Sequence, residues 1–357
     1  MARDVLLVGS VPLETPQEVF ETCGRAIGDL VPCLPDGEVG ERSYWIQVLA
    51  YRVFHGHPEI ETIRRPPPAN GVEKWKPADR TESWGFRVKP GVEQVRFGDP
   101  GWRLGYAKEA INSYFIFCQL RKDGLIPPDV RFQVCLPLTN SAIDFFFMDP
   151  ADWPRIKPGF EDAMRAEIAK MIEKIPPADL AIQWDCCVET MDLEDAFPWT
   201  PTDNRFERNL APIANLAPRI PSEVMLGYHL CYGTLGGWPM VESDDLSRTV
   251  KFANEAVARS GRRVDFVHIP ILNRTDDRYF APLRELQAGA ARIYLGIVHN
   301  MEDERAFRAR LAVARKYLPD FGLAAPCGFG RHTAAELPAL LREHRRALEM
   351  LRELATR

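Results

Sequence analysis

An H-x-C pair, His229 and Cys231 in YHLCYGT, and a lone cysteine 96 residues further on, Cys327 in APCGFGR, are the residues best equipped to act together. Two thiolates and an imidazole make a soft nitrogen and sulphur ligand set suited to zinc, and three protein ligands leave one coordination position for a substrate. That is the pattern of a catalytic metal rather than of a closed structural site. The neighbouring Cys186 and Cys187 read as packing residues, because adjacent cysteines join in a disulfide only with strain. His55 and His57 in FHGHPE stand directly before Pro58 and read as a helix end, not a metal pair.

Residues so far apart in sequence meet only within a large core. The chain has 357 residues, 46% of them hydrophobic, a length at which α/β barrels form one domain, so residues 1–357 are expected to make a single barrel domain. A net charge of −5 and the absence of any Lys/Arg run exclude nucleic acid as an expected partner. No apolar stretch approaches the length of a membrane span, and the short apolar run in MARDVLLVGSVP is too brief for a signal segment. A cytoplasmic protein is expected, and eight irregularly spaced cysteines fit reduced thiols better than a disulfide framework.

Short apolar runs alternate with amphipathic stretches along the chain. Eight candidate strands emerge: Val5 to Gly9, Leu30 to Leu34, Phe132 to Leu136, Leu180 to Trp184, Val224 to His229, Asp265 to Ile269, Arg292 to Val298 and Gly322 to Pro326. Helical spacing of apolar residues marks Glu161 to Lys174 and Glu302 to Tyr317, and a further long segment runs from Ala334 to Leu354. Eight such units predict an α/β fold, a (β/α)8 TIM barrel. Between about Pro58 and Gly101 the chain is rich in Pro, Gly and Trp, which predicts an irregular insertion after the second unit, with a hairpin around Phe86 to Phe97, capping the barrel mouth.

Active sites of such barrels lie at the C-terminal ends of the strands. Nearly every predicted strand ends on a polar or metal-binding side chain: Ser10, then Asp36 and Glu38, Thr139 and Asn140, Asp185, His229 and Cys231, His268, His299 and Cys327. Their regular convergence on one rim predicts an enzyme.

The order GS, DGE followed by ERSYW, IQWD, HLCY, VHN and PCG resembles the catalytic barrel of the cobalamin-independent methionine synthase family, whose fold is shared with uroporphyrinogen decarboxylase. The resemblance runs from about Val5 to Arg331, and H-x-C with the distant PCG is its most specific part. It implies a zinc ion held by His229, Cys231 and Cys327 that binds the acceptor thiol as thiolate, with homocysteine the favoured acceptor. It further implies that Ser10, Glu38 and Asp185 receive the carboxylate and ammonium of that acceptor, and that His299 is the acid that protonates the departing nitrogen of the donor. The small-molecule partners implied are a thiol and a methyl donor, a methylated folate or a methyl-corrinoid.

The chain departs from the family at two places. Where the family has a zinc-binding Glu, FVHIPILNRTDD offers Pro270 or Ile271, which leaves His268 or solvent to fill the position. Where it has D-E-P, Asp185 is followed by Cys186 and Cys187, with Glu189 the nearest carboxylate. A single barrel without a second, N-terminal one is expected, as in shorter stand-alone relatives whose donor need not be a folate. Three other readings stay open: a zinc enzyme that adds a thiol to an epoxide or other electrophile, a metal-free decarboxylase of the uroporphyrinogen type, and a non-catalytic barrel that binds a small molecule. The decarboxylase calls for arginines to hold several carboxylates, and GSVPLETP supplies none.

Overall fold

Strands buried on both faces read as nearly continuous apolar runs, and LAIQWDC, buried throughout, is one of them. In the computed structural model, which describes residues 3–78, 81–99, 101–299 and 303–355, ten strands form. They are β1 (Val5–Leu6), β2 (Cys33–Pro35), β3 (Ile60–Arg64), β4 (Gly85–Val88), β5 (Arg131–Pro137), β6 (Leu180–Cys186), β7 (Met225–Leu230), β8 (Phe266–Pro270), β9 (Arg292–Gly296) and β10 (Gly322–Ala324). Eight are parallel neighbours in the order β1-β10-β9-β8-β7-β6-β5-β2, and Val5 N donates to Leu30 O at 3.1 Å across the seam between the end strands. With helices between successive strands, this is the expected (β/α)8 barrel.

The first two strands depart from the expected ranges for a reason visible in their hydrogen bonds. Only Val5 and Leu6 of the first run join the ladder, because the carbonyls of Leu7 and Val8 accept instead from the side chains of Gln133 (3.1 Å) and Gln183 (2.6 Å). In the second run Leu30 O is taken by Val5, and pairing with β5 begins only at Cys33. Inside the barrel, Leu6, Val8, Cys33, Ala181, Phe266, Tyr294 and Ala324 make a small apolar cluster. Gly227 makes room for it, since a Cβ there would stand 2.1 Å from the Phe266 ring.

The helix expected from Glu161 begins at Trp153 and runs to Lys174, through Pro158. The helix expected from Glu302 is seen as Glu304–Tyr317, capped by Asp303, whose side chain accepts from Ala306 N at 3.0 Å; Glu302 itself lies outside the described residues. The last helix spans Leu337–Ala355. No described helix is long and apolar enough to cross a membrane.

The segment 58–101 forms a hairpin, but not the expected one. Gly85–Val88 pairs antiparallel with Ile60–Arg64 rather than with residues nearer Phe97. Nor do its described residues line the cavity at the barrel mouth. They pack against the side of the barrel instead: Phe86 N donates to Phe146 O at 3.0 Å, Val88 N to Asp152 Oδ2 at 3.0 Å, and Arg155 binds the carbonyls of Lys89 and Val92 at 2.7 and 2.8 Å. His55 and His57 are tied locally, to Thr62 Oγ1 at 3.0 Å and Arg96 O at 3.1 Å, so they offer no metal pair.

Gly159 is the point of closest approach between this segment and the helix from Trp153, because a Cβ there would lie 2.0 Å from Val95 O. Gly159→Ala is therefore expected to lower stability by about 1–3 kcal/mol. Urea unfolding would show a lower midpoint at unchanged slope. An unchanged midpoint would mean that the segment does not rest on this helix.

Candidate metal centre

Side chains two apart in an extended chain share a face, so the H-x-C spacing, with His229 on β7 and Cys231 directly after its end at Leu230, turns the two to the same side. Cys327 arrives from the loop after β10. The three ligand atoms lie within 4.8 Å of one another, with Cys231 Sγ 3.4 Å from Cys327 Sγ and Cys327 Sγ 3.9 Å from His229 Nε2. A tetrahedral zinc with ordinary bond lengths needs sulphur to sulphur edges of about 3.8 Å and nitrogen to sulphur edges of about 3.6 Å. The observed separations straddle those values.

A hydrogen-bond chain decides which nitrogen of His229 is free. His229 and His268 are register partners on β7 and β8, and their Nδ1 atoms are 2.8 Å apart. His268 Nε2 lies 2.9 Å from the carbonyl of Ala325, which can only accept. Burial pushes the His268 pKa down to about 4, so near neutrality the ring carries one proton, and that proton sits on Nε2. His268 Nδ1 is then an acceptor, His229 Nδ1 must donate, and His229 Nε2 keeps its lone pair on the side of Cys327. His268 thus orients a ligand, and with both nitrogens engaged it has none left for a metal, contrary to the expectation that it might serve as one. Gly296 permits the arrangement, since a Cβ there would stand 2.7 Å from His268 Nε2.

Burial keeps the three side chains of the group in their neutral forms. Burial, with His268 alongside, holds the His229 pKa well below its ordinary range. The Cys231 thiol is pushed well up by its contact with Cys187 and by burial, and the Cys327 thiol by its contact with Cys231 and by burial. Without a positive charge the group holds neutral thiols, and a bound divalent cation would favour their thiolates. The donor set, the separations and the oriented lone pair all fit zinc. Among the described residues no carboxylate joins the group. Pro270 ends β8, and Ile271 is buried with its carbonyl turned to His299, so the strand contributes nothing in place of the family's Glu.

Ser10, Glu38 and Asp185 line the same cavity as the three candidate ligands, a space of about 90 Å³ also bordered by Trp45, Cys187, Met191 and Met240. Asp185 is fixed from both sides, accepting from Gln183 Nε2 at 2.8 Å and Trp45 Nε1 at 3.1 Å. Burial, then the nearby Glu38, pushes its pKa well above the carboxylate range. Glu38 sits at a positive φ of 50°, held there by Asp36, which accepts from Glu38 N at 3.1 Å while paired with Arg42 at 2.8 Å. Asp36 is therefore a loop anchor. Burial pushes Glu38 up to about 7 against the pull of Arg42, and Asp36 adds to the rise. Ser10 Oγ accepts from Gly330 N at 3.3 Å, which joins the loops after β1 and β10.

His299 is placed apart from that cavity. It borders a second one of about 380 Å³, which meets the first at Thr234, Cys327, Gly328 and Arg331. Its Nε2 is 2.6 Å from Ile271 O, and burial, then Arg310, pushes its pKa down to about 4 rather than near neutrality. Asn300, which follows it in the VHN motif, lies outside the described residues. Thr139 and Asn140 turn away into structural contacts, with Glu161 and with Asn209. Sequence reasoning missed Trp45, which positions Asp185, and Cys187, which reaches the cavity.

No protein-family model and no curated protein matches the chain. Among solved structures, a protein from Listeria monocytogenes provisionally named a vitamin-B12 independent methionine synthase is similar, with a TM-score of 0.54 and 14% identity over 95% of this chain and 86% of that one. At that identity the likeness is one of fold.

Because folded Glu38 holds its proton up to about pH 7 and the ordinary value is 4.5, its contribution to stability is full below pH 4.5 and is lost as the pH rises through 7. Glu38→Gln keeps the neutral form at every pH. Between about pH 5 and 8 the wild type is expected to lose about 1–3 kcal/mol relative to this variant. Urea unfolding at the two pH values checks it, and parallel behaviour would place Glu38 in contact with solvent or with a compensating charge.

Proposed function

We propose that this protein is a zinc-dependent transferase that binds a small thiol and activates it as acceptor of a methyl or alkyl group. The observation that carries the reading is the meeting, in one small cavity, of a soft nitrogen and sulphur group with two buried carboxyls. Zinc, when held by His229, Cys231 and Cys327, would lower the pKa of an incoming thiol and keep it nucleophilic at neutral pH.

The protein's own residues would do the rest. Glu38 and Asp185 are both pushed up by burial, Glu38 further by Asp36 and Asp185 further by Glu38, and a cation beside them would relieve both, so they favour an acceptor that carries an ammonium group. Ser10 and the backbone of the loop it joins would receive a carboxylate. An amino-acid thiol such as homocysteine meets all three demands. Trp45 and Gln183 hold Asp185 in place, and Met191 and Met240 give the cavity an apolar wall that limits water around the thiolate.

The cavity of about 90 Å³ beside the candidate ligands suits a small acceptor. The second cavity, adjoining at Cys327, offers the larger space for a donor such as a methylated folate. A methyl-corrinoid would have to present its methyl group from outside. His299, neutral and turned onto the Ile271 carbonyl, is left out of the proposed acid chemistry.

Metal content of protein purified without chelator tests the reading. About one zinc per chain is expected, lost in Cys231→Ser and in Cys327→Ser. His268→Phe should weaken zinc binding by about 10–100-fold while leaving the ligands in place. Thiol uptake by the zinc form should favour homocysteine over 2-mercaptoethanol, and Glu38→Gln should erase that preference. Wild type that takes up no zinc would refute the reading.

A further inference from the structure

Cys187 is the one thiol that reaches the metal cavity from a different side of the barrel. It follows β6 and opens the helix Cys187–Leu193, whereas Cys231 follows β7 and Cys327 follows β10. Its neighbour Cys186 faces the core, with Sγ 3.8 Å from Trp184 O, while Cys187 lines the cavity together with His229, Cys231 and Cys327. Cys187 thus borders the same cavity as Cys231 while its sulphur stands outside the compact group of three. Its backbone is fixed, because Cys187 N donates to Ser141 Oγ at 3.1 Å and Ser141 Oγ donates to the buried Glu189 at 2.5 Å. What remains free is rotation about its side chain.

We propose that Cys187 is a fourth, displaceable ligand of the metal bound by His229, Cys231 and Cys327. The inference rests on the metal reading above and adds to it the group that completes the coordination. The three-membered group is compact, no carboxylate joins it among the described residues, and a divalent ion there lacks a fourth donor. Cys187 lines the same cavity as the three, and a change of its side-chain rotamer is the movement that would bring its sulphur to the ion.

Its position also makes it the ligand that yields. An incoming thiol R-SH would form the metal to sulphur bond as R-S⁻, the bond to Cys187 would break, and the proton of R-SH would end on the Cys187 sulphur. One thiolate replaces another, so the charge at the metal is unchanged and no proton leaves the protein. With Cys187 absent, the fourth position would fall to solvent and the proton of the arriving thiol would be released.

Cobalt substitution in the full chain reads the number of thiolates directly from the sulphur to cobalt charge-transfer band. Wild type is expected to show a band for three thiolates, and Cys187→Ala a band one third weaker with cobalt still bound. X-ray absorption of the wild-type zinc form gives the same count without any variant: three sulphur neighbours are expected, and two would overturn the proposal. Adding 2-mercaptoethanol in weak buffer with an indicator dye should release almost no proton from wild type and about one per site from Cys187→Ala. Equal bands in the two proteins would remove Cys187 from the metal while leaving the three-ligand site standing. Failure of wild type to take up zinc or cobalt would instead sink the metal reading as a whole.

Discussion

The site depends on a carbonyl that can only accept. Ala325 O fixes the proton of His268 on Nε2, His268 then accepts from His229, and the lone pair of His229 Nε2 is left facing the cysteines. Each step follows from the number of protons two neutral imidazoles possess, and burial keeps both rings neutral. The parallel register of β7 with β8 places the two histidines side by side, and the loop after β10 supplies both the carbonyl and, two residues later, Cys327. One loop therefore sets the tautomer of one ligand and contributes another. A shift of that loop would disturb both, which couples the geometry of the group to the packing of a single segment.

A second polar chain crosses the barrel interior to the other half of the site. Cys33 Sγ donates to Gln133 Oε1 at 3.0 Å, Gln133 donates to Leu7 O and to Gln183 Oε1, and Gln183 donates to Val8 O and to Asp185 Oδ1. Every amide hydrogen of the two glutamines is used, so neither amide can turn over without losing buried hydrogen bonds at about 1–3 kcal/mol each. The chain replaces ladder pairing that β1 gives up beyond Leu6, and in return it fixes Asp185 from below. Trp45, also at a positive φ, holds the same carboxylate from the opposite side. The strained backbone at Glu38 and Trp45 is where the loop bends to bring both to the rim.

Much of this was legible in the residues. Strands from β5 onward could be read because a parallel strand covered on both faces must be apolar almost throughout, and the H-x-C spacing already implies one face of a strand. The shorter β1 and the later start of β2 were not legible, since both follow from carbonyl partners far away in sequence, Gln133, Gln183 and Val5. The helix from Trp153 starts eight residues before the apolar spacing marks it, across Pro154, Pro158 and Gly159; Pro154 falls in the first turn, where its missing N–H costs nothing, and Gly159 is the packing contact with Val95. The hairpin partner of Gly85–Val88 depended on tertiary contacts with Phe146 and Asp152 that composition does not encode. Cys187 was passed over because the pair with Cys186 was weighed as a disulfide, whereas consecutive residues at a strand end diverge, one to the core and one to the rim.

The charge requirements of the two halves of the cavity complement each other. The nitrogen and sulphur group is buried and neutral, and a divalent cation would favour its thiolates. Burial raises both Glu38 and Asp185, with Asp36 adding to the rise at Glu38 and Glu38 to that at Asp185, and a positive charge beside them would favour their ionised forms. An ion at the first group and an ammonium at the second would let both ionise, and a thiolate bridging towards the ion would balance the charge between them. A thiol lacking the ammonium would gain nothing from the acid pair, while an amine lacking the thiol would gain no bond to the ion. Discrimination in such a cavity therefore comes from the cost of leaving either half unpaired, which is larger in a small, largely apolar space than in one open to water.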